Sequence, residues 1–342
     1  MSLRNLGLIG ILILATIQTG CVSLQNRENQ VSRSAFPEEL LVEVDRQPDL
    51  EISLWPEGAP GSNEATDALS QHYVERENQY NLPDRAALEV TDPTIKLFQA
   101  ENPNGSVLLI IPGGGYNHVV VEKEGYEGAR LFNKLGVTVY VMTYRLPHQG
   151  WGDGPDTPLQ DAQRAVRLIR SRALVDDIDP ARIAVMGFSA GGHVAGSLLT
   201  RYNADVYDGI DAIDDLSAKP DLGALIYPVI SMDKAITHTG SREKLIGESP
   251  NLEQVQKYSV ELNLEDLPPP TFIMHAADDR AVPVENSLRM YSALLKNGVQ
   301  SELHVFSTGG HGFGVRGLKD KPQAAWPELF FNFGLHVGTF EK

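Results

Sequence analysis

The 342-residue chain carries a single cysteine, Cys21, so no intrachain disulfide can form and the fold has to be held by packing. Basic residues are scarce too. Lysines and arginines number 29 against 45 aspartates and glutamates, a net charge of −16. Such a surface repels polyanions, which sets nucleic acid aside as a partner and leaves the acidity as an ordinary solvated exterior. Histidines are never close together: none of the nine lies within four positions of another, so neither H-E-x-x-H nor H-x-H spacing occurs. No catalytic metal and no other cofactor are expected. Also missing are an internal repeat and an apolar run of the ~20 residues that a membrane-spanning helix needs.

What is present begins with an export pattern. Residues 1–21 read as a short basic segment, an apolar run from Leu6 to Ile17, and then Gln18-Thr19-Gly20-Cys21. Small residues before Cys21 resemble a bacterial lipobox, with Gln18 where an aliphatic residue is usual, so Cys21 is the expected lipid-attachment residue. Membrane contact is expected only through that anchor, and the location is the cell envelope or, without acylation, the periplasm or medium. Residues 22–48, polar and weakly periodic, read as a tether, and 49–342 as one catalytic domain.

From Asp49 onward, short apolar runs alternate with amphipathic segments, the signature of a mostly parallel sheet flanked by helices. Leu88 to Ala100 reads as a strand or hairpin turning at Asp92-Pro93. Val107–Ile111 and Val137–Tyr144 read as strands buried on both faces, with a helix from Tyr126 to Leu135 between them, closed by Gly136. Ala162, Ala165, Val166, Ile169 and Ala173 recur at helical spacing and place Arg164, Arg167 and Arg170 largely toward water. Further strands are expected at Arg182–Met186, Leu222–Ile230, Thr271–His275 and Ser301–Phe306, with helices at Val284–Lys296 and about 324–336. Ser231–Pro270 interrupts the alternation and is expected to contribute to a substrate rim.

The strand ending at Met186 runs into Gly187-Phe188-Ser189-Ala190-Gly191, a G-x-S-x-G pentapeptide between strand and helix. That setting presents a serine Oγ on a tight turn, with glycines where side chains would strike neighbouring backbone. Serine is a weak nucleophile until a base takes its proton, so a carboxylate and then a histidine are expected later in the chain. Asp279, at the end of a strand, is the expected acid, with Asp278 as the alternative. His311, in the glycine-rich loop after the last strand, is the expected base. His193 and His275 read as structural histidines. A developing oxyanion needs backbone N–H donors, and Gly114, Gly115 and Ala190 are the candidates. Tyr116 is a candidate for lining the acyl or alcohol pocket, with a packed aromatic as the alternative.

These residues, together with Leu54-Trp55-Pro56-Glu57-Gly58-Ala59-Pro60-Gly61, Pro112-Gly113-Gly114-Gly115-Tyr116, Tyr144-Arg145-Leu146, Pro158-Leu159-Gln160-Asp161-Ala162 and Gly310-His311-Gly312, resemble the α/β-hydrolase superfamily. The resemblance covers about 50–342. It is to the esterase branch that includes acetyl xylan esterase-like enzymes, related to hormone-sensitive-lipase-like and BD-FAE-type carbohydrate esterases. Pro112 stands where the lipase relatives carry histidine, which favours the xylan-esterase side. The resemblance implies an α/β-hydrolase fold, and segment lengths suggest little or no cap. It also implies removal of short acyl groups, typically acetyl, from a small-molecule or polysaccharide ester, with Arg145 as a structural tie. Two other readings stand beside it: a prolyl-oligopeptidase-type serine peptidase, for whose usual propeller there is no room, and a non-catalytic envelope binding protein.

Overall fold

A computed structural model of the chain describes residues 46–264 and 266–342. The export segment, Cys21 and the tether up to residue 45 lie outside the described residues. Ten strands are found among the described residues: β1 (Leu50–Ser53), β2 (His72–Glu75), β3 (Arg85–Leu88), β4 (Thr94–Phe98), β5 (Val107–Ile111), β6 (Thr138–Met142), β7 (Ile183–Phe188), β8 (Leu222–Ile226), β9 (Thr271–Ala276) and β10 (Ser301–Phe306). Eight form one sheet in the order β1-β4-β6-β5-β7-β8-β9-β10. Its first two pairings are antiparallel and the rest parallel. β5 sits mid-sheet, with Val107 facing Thr138 on one side and Ile183 on the other. β2 and β3 form a separate antiparallel pair. Of the strand or hairpin expected over Leu88–Ala100, the strand is found, as β4, and the hairpin is not: β3 and β4 belong to different sheets and the Asp92-Pro93 turn only connects them.

The helices are α1 (Glu64–Asp67), α2 (Glu127–Asn133), α3 (Thr157–Ser171), α4 (Ser189–Arg201), α5 (Thr239–Ile246), α6 (Leu252–Lys257), α7 (Glu285–Lys296) and α8 (Trp326–Val337). A π-helical turn, Glu122–Tyr126, leads into α2. Side chains alternate between the two faces of a strand, and β9 shows how this sorts the helices. Phe272 meets Phe330 of α8 at 5.6 Å between ring centres, whereas His275 points to Ser287 of α7, 2.7 Å from its Oγ. α7 and α8 therefore cover opposite faces. Phe132 of α2 packs on Phe330 at 5.7 Å, placing α2 beside α8. With both faces covered, β4–β9 have no residue left to solvent, which explains the unbroken apolar runs of β5, β7 and β8.

The outward arginines of α3 are a second correction. Arg164 is 1% exposed. Its guanidinium bonds both carboxylate oxygens of Asp211, at 2.8 and 2.7 Å, and its Nε bonds the Leu54 carbonyl at 3.1 Å. Arg167 Nε donates to the Leu216 carbonyl at 3.0 Å and Arg170 Nη2 to that of Lys219 at 2.9 Å. The segment between α4 and β8 folds over the helix and supplies the oxygens that water was expected to supply, and helical periodicity carries no trace of such a covering chain.

Arg145 is wholly buried and joins distant parts of the sequence. Its Nε and Nη2 reach Asp161 Oδ1 at 2.9 and 2.6 Å, its Nη1 bonds the Pro60 carbonyl at 2.5 Å, and Trp55 Nε1 donates to the same Asp161 oxygen at 2.7 Å. Next to it, Tyr144 Oη donates to the Pro112 carbonyl at 2.9 Å, tying the end of β6 to the glycine-rich segment that follows β5.

Candidate active site

β7 ends at Phe188 and α4 starts at Ser189, whose φ of +52° lies in the left-handed region that a residue with a Cβ enters at a cost of ~1–3 kcal/mol. The flanking glycines make that turn possible. A Cβ on Gly187 would lie 2.2 Å from the Gly191 carbonyl oxygen, and one on Gly191 would lie 2.2 Å from that of Ile111. Backbone cannot yield at such distances, so glycine at 187 lets the turn close on itself and glycine at 191 lets the start of α4 approach the end of β5.

At the carboxyl ends of the strands, three side chains from β7–α4, the β9 loop and the β10 loop converge. Ser189 Oγ is 2.9 Å from His311 Nε2, and His311 Nδ1 is 2.6 Å from Asp279 Oδ2. An ionised carboxylate only accepts, so Nδ1 carries the proton and Nε2 is left to accept from the serine hydroxyl. Asp279 Oδ1 takes the Ala281 and Val282 N–H groups, both at 2.9 Å. Burial by itself would raise the Asp279 pKa, but hydrogen bonds from His275, His311 and the Val282 amide outweigh it. They hold the carboxyl well below the usual carboxylate range. His275 Nε2, 2.9 Å from the Val282 carbonyl, must donate there, and it stands 3.3 Å from Asp279 Oδ2. Asp278 turns elsewhere, its Oδ1 accepting the Gly310 N–H at 2.8 Å and so pinning the loop that carries His311.

Ser189 and His311 open into a cavity of about 530 Å³ lined also by Gly114 and Gly115. Ala190 follows Ser189 in the first turn of α4, where backbone N–H groups have no acceptor within the helix. Glu124, on the π-helical turn, is a site residue that sequence reasoning missed. Its Oε2 accepts the Gly113 N–H at 2.9 Å and its Oε1 the Tyr227 hydroxyl at 3.0 Å, while Tyr227 Oη accepts the Gly314 N–H at 2.9 Å. One buried carboxylate thus ties the glycine segment to the His311 loop. A lone glutamate before Gly125 gives no signal of this. Segment 231–270 does reach the site, through His238, Gly240 and Lys244, as its irregular pattern suggested.

Tyr116 does not line the cavity. It is 1% exposed, lies beneath the glycine segment, and its Oη is 2.7 Å from His193 Nδ1. His193 Nε2 donates to the Tyr258 carbonyl at 2.7 Å, so Nδ1 accepts from Tyr116. Burial pushes the His193 imidazole down to about 4, and the hydrogen bond to Tyr258 only partly opposes this. Between about pH 6.5 and 4 the unfolded chain takes up this proton and the folded chain does not. Stability from this group is therefore complete above that window and falls by up to roughly 3 kcal/mol as the pH drops through it. In urea unfolding from pH 4.5 to 7.5, His193→Gln is expected to flatten the slope relative to wild type. Parallel curves for the two proteins would remove His193 as the source.

Residues 95–294 match the BD-FAE family. An acetylxylan esterase of Xylanibacter ruminicola is 36% identical over 223 residues, which is 64% of this chain and 43% of that protein. An endo-1,4-beta-xylanase B of Butyrivibrio fibrisolvens is 35% identical over 240 residues, 70% of this chain and 37% of that protein. The chain thus spans less than half the length of these curated relatives. Among solved structures, that of an acetyl ester-xyloside bifunctional hydrolase from Caldicellulosiruptor lactoaceticus is similar with a TM-score of 0.66 at 31% identity, covering 84% of this chain and 100% of that one. A carboxylesterase from Lactobacillus plantarum WCFS1 shares the fold, with a TM-score of 0.59 at 21% identity over 80% of this chain.

Proposed function

The chain belongs to the BD-FAE family of the α/β-hydrolase superfamily, and on that premise we propose that it is a serine carboxylesterase removing short acyl groups, acetyl first among them, from carbohydrate esters such as acetylated xylan. The observation that carries this reading is the relay of 2.9 Å from Ser189 to His311 and 2.6 Å from His311 to Asp279. In the proposed reaction Ser189 Oγ attacks the ester carbonyl while His311 Nε2 takes its proton. Asp279 holds the imidazole and balances the imidazolium, and His311 then returns the proton to the departing sugar hydroxyl. The N–H groups of Gly114, Gly115 and Ala190 are the proposed donors to the tetrahedral oxyanion. Water, deprotonated by His311, then releases the acyl group and frees the serine. The substrate class is supported by the acetylxylan esterase among the relatives and by the acetyl ester hydrolase among the similar structures.

The test is hydrolysis of a chain-length series of p-nitrophenyl esters, with acetate release from acetylated xylan in parallel. Activity falling steeply beyond acetyl supports the reading. Inertness on every ester, with cleavage of peptide substrates, would replace it by the peptidase reading.

The choice between the two neighbouring aspartates gives a sharper prediction. Asp279→Asn is expected to lower kcat by about 10³–10⁴-fold, because an amide NH₂ against Nδ1 favours the wrong tautomer. Asp278→Asn keeps an oxygen for the Gly310 N–H and is expected to lower kcat by less than about tenfold. Equal losses in the two variants would remove Asp279 as the orienting acid.

Export is part of the proposal as well: residues 1–21 as the signal region, cleaved before Cys21, with Cys21 retained and acylated and the chain held in the cell envelope. Mass spectrometry of the envelope-extracted protein tests it, and an unmodified Cys21 thiol would count against acylation.

A further inference from the structure

The charge of the candidate active-site cavity is opposite to that of the protein. In a chain of net charge −16, the residues lining this cavity include three cations, Arg76, Lys123 and Lys244, against one carboxylate, Glu124. Glu124 is buried and both of its oxygens are engaged, by the Gly113 N–H and the Tyr227 hydroxyl. Of the cations, Arg76 faces Asp84 at 3.9 Å, the limit of an ion pair, and its Nη1 is a buried donor with no hydrogen-bond partner. Among the described residues, neither Lys123 nor Lys244 has a carboxylate within ion-pairing distance. Lys123 sits close to the base: a Cβ on Gly312, the residue after His311, would lie 3.5 Å from its Nζ. The local field also registers on the neighbouring histidines. Burial first, and then the charges of Arg76 and Lys123, push His118 down against the opposing pull of Glu124 and Asp84, and burial and Lys244 do the same to His148.

Three cations from three separate segments converge on one cavity, and only Arg76 faces a carboxylate there, Asp84 at 3.9 Å, so Lys123 and Lys244 leave an excess of positive charge that forms a receptor for an anion. A polysaccharide ester supplies that anion as a carboxylate on or beside the esterified unit. The guanidinium fork of Arg76 and the ammonium groups of Lys123 and Lys244 suit a carboxylate held by charge-assisted hydrogen bonds. Resting on the esterase reading, we propose that Arg76, Lys123 and Lys244 make this site selective for esters that also carry a carboxylate. Two sources share that chemistry: a uronic acid next to the acylated sugar, and a dicarboxylic acyl group whose far end is free.

The test compares kcat/KM of the wild type for acetylated xylo-oligosaccharides with and without a uronic acid residue, and for p-nitrophenyl acetate against the p-nitrophenyl hemisuccinate. A preference of about tenfold for the charged member of a pair is expected. It should shrink toward one in 0.5 M salt, where the Debye length is only about 4–5 Å, and in Arg76→Gln, Lys123→Gln and Lys244→Gln combined. Preference in the oligosaccharide pair alone identifies the uronic acid, and preference in the hemisuccinate pair alone identifies the acyl group. Hydrolysis of neutral and charged esters at equal rates overturns the selectivity while leaving the esterase reading intact. If the wild type hydrolyses no ester, that reading fails by itself, and calorimetric binding of the two oligosaccharides still decides the charge question. A roughly tenfold tighter Kd for the uronate form upholds the anion site, and equal affinity overturns it.

Discussion

Ser189→Ala is expected to lower kcat on p-nitrophenyl acetate by on the order of 10⁵-fold, about 7 kcal/mol of transition-state stabilisation, while leaving the fold intact. The loss is that large because the variant removes the atom that forms the acyl-enzyme; what survives is whatever the glycine-segment N–H groups and binding give to attack by water. The fold should survive because Ala adopts the same φ of +52° with the same Cβ, and the relay loses only the 2.9 Å contact to His311. Thermal unfolding within about 3 °C of wild type is the matching expectation, since a change below about 1 kcal/mol moves a domain of this size by no more than that. A folded Ser189→Ala protein with more than about one-hundredth of wild-type kcat would mean that hydrolysis does not pass through Ser189.

The second large effect is on stability. Arg145→Met leaves the Asp161 carboxylate wholly buried without its guanidinium and the Pro60 carbonyl without its donor. Removing one partner of a buried ion pair costs about 3–5 kcal/mol, because the remaining charge keeps its desolvation penalty and loses its compensation. At roughly 2–4 °C per kcal/mol for a domain of this size, melting should fall by about 10 °C. Arg145→Lys should recover only part of this, since an ammonium cannot reproduce the fork to Asp161, Gln160 and Pro60. Replacing both members, Arg145→Met with Asp161→Leu, is expected to cost less than Arg145→Met alone, Trp55 Nε1 losing its acceptor being the main remaining penalty. A double variant as unstable as the sum of the singles would show that the pair is not coupled.

Local pattern made much of the fold legible. Val107–Ile111 and Ser301–Phe306 read as strands and are strands to the residue; for Val107–Ile111 the reason is that a parallel strand covered on both faces needs an unbroken apolar run and a turn residue to stop it, whereas Ser301–Phe306 is the half-exposed edge strand. Gly136 reads as a helix end and takes a φ of +79°. The reading failed where a second chain segment intervenes. Arg164, Arg167 and Arg170 follow the exposed stripe of α3, and only the fold of segment 206–219 over that stripe turns them into buried or half-buried donors. Leu88–Ala100 reads as a strand or a hairpin because strand propensity says nothing about the partner; the strand β4 is there, and it pairs with β1 and β6.

The candidate site divides the same way. By itself the sequence determined that a serine stands on a strand-to-helix turn between two glycines, that an aspartate and then a histidine follow at later strand ends, and that three glycines follow β5. Those features are local: each is a backbone shape that only certain residues permit, so it is written where it occurs. Tertiary structure alone decided that Asp279 rather than Asp278 faces His311, that Tyr116 turns inward to His193, and that Glu124 and Tyr227 join the glycine segment to the His311 loop. It also decided that Arg76, Lys123 and Lys244 share one cavity in an acidic protein. A hydrogen bond or a local field depends on where two groups end up, and partners up to 237 positions apart, as Asn104 and the carbonyl of Glu341 are, leave no periodicity or spacing for the sequence to display.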